Sequence, residues 1–107
     1  MPKYMSHVSF TTEGVKGLQR EKAAQRKNEV TKLIENAGGK LEAFYFAFGK
    51  DDVIAIIDVP DNIAAASISV AVNAAGHVHL KMTPLLTVED MDKAIAKSEK
   101  FRHVPGD

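Results

Sequence analysis

Residues Phe44 to Asp61, reading Phe-Tyr-Phe-Ala-Phe-Gly-Lys-Asp-Asp-Val-Ile-Ala-Ile-Ile-Asp-Val-Pro-Asp, constrain the chain more than any other stretch. Aromatic and β-branched residues flank a Gly49-Lys50-Asp51-Asp52 reversal, and such side chains fit the pleated surface of a strand. Glycine at the reversal supplies backbone angles that other residues resist. Before the turn, Phe44, Phe46 and Phe48 point one way and Ala43, Tyr45 and Ala47 the other. After it, Val53, Ala55, Ile57 and Val59 oppose Ile54 and Ile56. Apolar side chains on both faces mark a strand buried on two sides. The pattern predicts a central hairpin with strands over 40–48 and 52–59.

The flanking segments follow from periodicity. Over residues 3–11, Tyr4, Val8 and Phe10 share one face of a first strand, and Met5, His7, Ser9 and Thr11 share the other. Thr12 and Glu13 then suit the start of a helix, as cap and first-turn acid. Val15, Leu18, Val30, Leu33, Ile34 and Ala37 fall on one broad helical face. Lys22 and Arg26 occupy positions in that stripe. Either the helix is interrupted near Gly17 to Lys22, or the long stems lie along its edge. Gly38-Gly39 ends it. Asp61 is the expected N-cap of a second helix, worth about 1 kcal/mol relative to alanine. That helix is small and apolar nearly all round and stops at Gly76. A fourth strand over 77–84 sets Val78, Leu80 and Met82 against His77, His79, Lys81 and Thr83. Thr87-Val88-Glu89-Asp90 resembles a helix start, with a narrow stripe of Val88, Met91 and Ile95. Residues 101–107 read as an extended tail.

Composition narrows the classes. The 107 residues suit one domain, 1–107, that buries roughly 65% of its unfolded surface. Cysteine is absent, which excludes a disulfide framework and thiol chemistry. Fourteen basic and 14 acidic residues cancel, so there is no general drive toward nucleic acid or membrane. The basic residues of the first helix interleave with Glu13, Glu21, Glu29 and Glu35, and no exposed aromatic platform accompanies them. No apolar run approaches the ~20 residues of a membrane span, and the N-terminus lacks the apolar region of a signal peptide. A soluble cytoplasmic protein is expected.

The element order β-α-β-β-α-β plus a helix predicts an α+β, ferredoxin-like fold. Right-handed crossovers give a four-stranded antiparallel sheet of order 4-1-3-2, with two helices on one face. Nearly the whole chain also resembles the GYD-domain family. The resemblance rests on Glu13-Gly14, Arg26, Gly38-Gly39, Phe44-Tyr45, Phe48-Gly49, Asp52, Pro60-Asp61, Gly76 and Thr83-Pro84-Leu85-Leu86-Thr87. Asp51 stands where that family's signature tyrosine is usual. The resemblance implies membership of the dimeric α+β barrel superfamily, in which two sheets pack face to face; it implies no assigned activity.

Two groups of residues are candidates for a ligand-binding site. His77 and His79 are two apart on a predicted strand and so share a face, and His7 lies on the neighbouring strand. A bare His-x-His is weak evidence for a metal, and second-shell carboxylates are also needed; no metal and no cofactor is expected. The second group is Arg26 and Tyr45, at positions where the resemblance implies an arginine and a tyrosine. An arginine in an apolar stripe calls for a carboxylate or an anionic ligand, and Asp52 or Asp58 is the expected carboxylate. No phosphate loop, nucleophile elbow or zinc-finger spacing is present, so no catalytic residue is assigned. The reading is a small-molecule binding or sensing module. The alternative is a small cofactor-independent oxygenase or isomerase working in a sheet-side cleft. The expected partner is a second copy: the third strand is apolar on both faces, while the two helices cover only one.

Overall fold

The computed structural model describes residues 1–101. Strand β1 (Lys3–Phe10) is followed by helices α1 (Thr12–Glu21) and α2 (Ala23–Asn36), then by the consecutive strands β2 (Lys40–Phe46) and β3 (Val53–Asp58), helix α3 (Asn62–Ala75) and strand β4 (Val78–Leu85). Helix α4 (Val88–Ser98) and a 3-10 turn, Glu99–Phe101, follow. Of the expected extended tail, Phe101 closes that turn, and 102–107 lie outside the described residues. The four strands form one antiparallel sheet ordered β2-β3-β1-β4, which counted from the other edge is 4-1-3-2.

The register assigns each side chain a face. Tyr4 pairs with Ile57, Ser6 with Ala55 and Val8 with Val53, and all but the half-buried Val8 are buried under the helices. Ile54 and Ile56 turn to the opposite, open face. A bulge between Leu41 and Ala43 shifts β2 by one residue, so that Leu41 and Phe44 both meet helix-side partners, Ile57 and Ala55. Such a bulge leaves one residue unpaired and bends its strand.

Three expectations need correction. Both hairpin strands are shorter than predicted, and residues 47–52 connect them. Gly49 adopts no positive φ. Asp52 sets this loop instead: its N–H donates to the Val8 carbonyl at 2.7 Å, and its carboxylate accepts from Phe10 N–H at 2.8 Å. The cap of α1 is Thr11 rather than Thr12, its side chain accepting from Gly14 N–H at 3.2 Å. Of the two readings of the first helical stripe, the interruption near Gly17 to Lys22 is the one the structure has. Lys22, with φ 74° and ψ 166°, separates α1 from α2, in a region of backbone space that is nearly glycine's alone.

Other signals act as read. Asp61 caps α3 by accepting from Ala64 N–H at 2.8 Å, and Gly76 ends it with φ 80°. Thr87 caps α4, accepting from Asp90 N–H at 3.0 Å. Gly14 is needed for close approach, because a Cβ there would lie 2.1 Å from the His77 carbonyl oxygen.

Helix α2 packs on edge strand β2 and α3 on edge strand β4, with little direct packing between the helices. Asn73 of α3 bonds both backbone groups of Leu80, donating to its carbonyl at 3.1 Å and accepting from its N–H at 2.7 Å. The core of Tyr4, Ile34, Ile57, Val59, Ala65, Ile68 and Leu80 closes one end of the helix–sheet interface. Helix α4 contributes no buried residue, and its substantial packing among the described residues is with the 3-10 turn alone. Its projection gives a body of 58 × 28 × 22 Å and a radius of gyration of 17.0 Å, against about 13 Å for a compact chain of 100 residues.

Candidate functional site

Beyond the closed core the splayed helices leave a cleft of about 330 Å³ over the sheet. That is the small end of the range for ligand pockets, about 300–1,000 Å³. Its floor is Ser6, Val8, Val53 and Ala55 of the two central strands. Val30 and Leu33 of α2 form one wall, and Ala71, Val72 and Ala75 of α3 the other. The cause lies in side-chain size. Where Tyr4 meets Ile57, bulky groups fill the space between sheet and helices; one step along, Ser6 meets Ala55 and two of the three facing α3 residues are alanines. Ser6 is the buried polar residue of this floor.

Arg26 stands at the rim. Its Nε donates to Glu21 at 3.2 Å, Glu29 lies 4.0 Å away, and the guanidinium sits 5.8 Å from the Phe10 ring centre. The carboxylates expected for it are engaged elsewhere. Asp52 holds the Phe10 N–H, and Asp58 accepts from Lys3 Nζ at 2.8 Å. Glu21 replaces them because the break at Lys22 turns the end of α1 toward the first turns of α2. On the open face, Lys3 also reaches Glu42 at 2.6 Å. The Asp58 carboxylate, and after it Glu42, raises the Lys3 ammonium pKa above its usual 10.5.

The other predicted residues divide between the two faces. Tyr45, Ile54, His7 and Lys81 form one cross-strand row on the open face, with Tyr45 71% exposed. His79 lies one step along, opposite Ser9. His77 leaves this group: β4 begins at Val78, and the His77 carbonyl accepts from Thr11 N–H at 3.1 Å and Thr11 Oγ1 at 3.0 Å. That docking turns the backbone out of the strand, and His77 lines the helix-side cleft. Arg26 and Tyr45 are therefore on opposite sides of the sheet. No group of three or more His, Asp or Glu suited to a metal occurs among the described residues.

One polar chain on the open face was not predicted. His7 Nδ1 lies 3.2 Å from Asp51 Oδ2, and His7 Nε2 lies 3.3 Å from Thr83 Oγ1. A carboxylate only accepts, so Nδ1 carries a proton, and in the neutral ring Nε2 then accepts from the Thr83 hydroxyl. The alternation placed His7 and Thr83 on one face, but only the loop fold brings Asp51 to them.

The sheet order, the two crossover helices and the Asp52-anchored hairpin loop are the frame of residues 4–95, and over that span the profile of the GYD domain matches. The chain belongs to the GYD domain family. No curated protein and no solved structure matches it. The family span runs from β1 into α4 and includes every residue of the cleft. Within that span, Asp51 supplies the carboxylate that engages His7.

Proposed function

We propose that this GYD domain protein is a homo-oligomeric module that binds a small molecule in the cleft between α2 and α3. The cleft carries the reading: a preformed, mostly apolar concavity with a few polar groups is the usual form of a small-molecule site. N-phenyl-1-naphthylamine, whose fluorescence rises in apolar surroundings, tests it. Saturable binding is expected, and Ala71→Phe, which fills the cleft, should weaken it by about tenfold or more. Absence of saturable binding, or equal binding by the variant, would contradict the reading.

Two unpartnered surfaces support the oligomer. The open face presents Tyr45, Ile54 and Ile56, and α4 presents Val88, Met91 and Ile95, which are 80%, 51% and 52% exposed. An isolated helix of 11 residues is marginal in water, so α4 gains its stability by packing on a second copy. Light scattering should give a multiple of 11.6 kDa; a mass of 11.6 kDa at all concentrations would exclude it.

The Asp51–His7–Thr83 chain favours a second reading, an isomerase on the open face. Of the two reactions expected, isomerisation is the one that needs no co-reactant: His7 Nε2, once the Thr83 hydroxyl turns away, takes a proton from one substrate atom and returns it to another. In ¹⁵N NMR the His7 Nδ1–H tautomer should dominate and be lost in Asp51→Ala; an Nε2–H tautomer in the wild-type protein would rule this reading out.

A further inference from the structure

We propose that the cleft takes an uncharged, largely apolar molecule bearing a single hydrogen-bonding group, and discriminates against anions. This rests on the cleft being a ligand site and names the class of its ligand. A lone arginine beside an apolar cavity ordinarily signals a carboxylate or phosphate ligand. Here the charge of the guanidinium is already compensated from within the chain, through Nε. Glu21 accepts from Nε at 3.2 Å, Glu29 approaches to 4.0 Å, and Phe10 lies beneath the cation. Nη2 lies over Gly17, 3.5 Å from where a Cβ would stand, and Arg20 Nη2 is 3.9 Å from the same point. Formally, the two guanidinium groups and the two carboxylates of this cluster sum to zero charge. The side chain of Arg26 is only 16% exposed.

An incoming anion gains little from a cation whose field is cancelled, and it must leave water to enter an apolar floor. A cation meets the same compensation with the signs reversed. A neutral molecule loses only its apolar hydration, which favours transfer. Ser6 on the floor offers one hydroxyl, a donor and an acceptor, for one polar group of the ligand. The carboxylates at the rim therefore act as specificity determinants by compensating the charge of Arg26.

Two probes of one skeleton test this: uncharged N-phenyl-1-naphthylamine and its sulfonate, 1-anilinonaphthalene-8-sulfonate. The saturable component removed by Ala71→Phe is compared. The wild-type protein should bind the neutral probe at least about tenfold more tightly. Glu21→Gln/Glu29→Gln removes both compensating charges and leaves the guanidinium a net cation, which should raise sulfonate affinity about tenfold while leaving the neutral probe little changed. Glu29→Gln alone, at an exposed position of α2, should move affinity in the same direction by less, so the test does not depend on the double variant folding. Equal or tighter sulfonate binding by the wild-type protein, or a neutral preference untouched by both variants, overturns the proposal while the cleft itself stands. Binding of neither probe overturns the cleft and the ligand class together.

Discussion

The two ends of the helix–sheet interface are built from the same strands and helices and have opposite outcomes. At one end Tyr4, Ile57 and Val59 meet Ile34 and Ile68, and Ile57 and Val59 are essentially inaccessible. At the other, Ser6 and Ala55 face Ala71 and Ala75, and the space stays open. Secondary structure does not distinguish the ends; side-chain volume does. Protein interiors fill to crystal-like density where the side chains allow it. A local run of small residues between splayed helices therefore makes a cavity without disturbing the fold.

The strongest way to break this contrast is to remove volume at the closed end. Ile57→Ala should cost about 2–5 kcal/mol, as large-to-small changes in a filled core do. Ala55→Val, two residues away on the same face, adds volume where there is room. Its effect should stay within about 1 kcal/mol, short of the penalty for overpacking. Urea denaturation of both variants checks the pair; similar losses would mean that the ends are packed alike. Next in size is Lys22→Gly, which should stabilise by roughly 1 kcal/mol because the backbone there suits glycine. A thermal melt that shows destabilisation would place the break between α1 and α2 elsewhere.

The smallest effect comes from the open face. Because Asp58 and Glu42 raise the Lys3 pKa above 10.5, the ammonium is held more tightly in the folded chain than in the unfolded one. Its contribution is complete below the usual lysine range and fades as pH rises through the raised value. Lys3→Met should thus narrow its stability difference from wild type only at strongly alkaline pH. A difference that closes near neutrality would implicate another group.

The contrast also separates what the sequence discloses from what it hides. Alternation through Val53–Val59 reveals both faces of β3, and Asp61, Gly76 and Thr87 mark helix ends because caps act locally, within a turn. The partners of Arg26 were not legible. Glu21 reaches it only across a helix break; the weakened stripe near Gly17 to Lys22 allowed such a break, but its placement on a lysine with positive φ, which sets the angle between the helices, is not a signal that a sequence carries. His77 looked like a strand residue by alternation, but docking of Thr11 and Gly14 against its carbonyl overrides the local pattern. The cleft depends on the angle between α2 and α3, a tertiary quantity; its only trace in the sequence is the excess of alanine in α3. Likewise, the stripe of α4 was visible, whereas its separation from the sheet was not.

The central claim is that the ligand site lies under the helices and not on the open face. Amide ¹H–¹⁵N NMR shifts during titration with N-phenyl-1-naphthylamine test it directly. The account expects saturating shifts at Ser6, Val8, Ala55, Ala71 and Ala75, with His7, Ile54 and Lys81 little changed. Shifts concentrated at His7, Tyr45, Ile54 and Lys81, with the cleft resonances still, would contradict it.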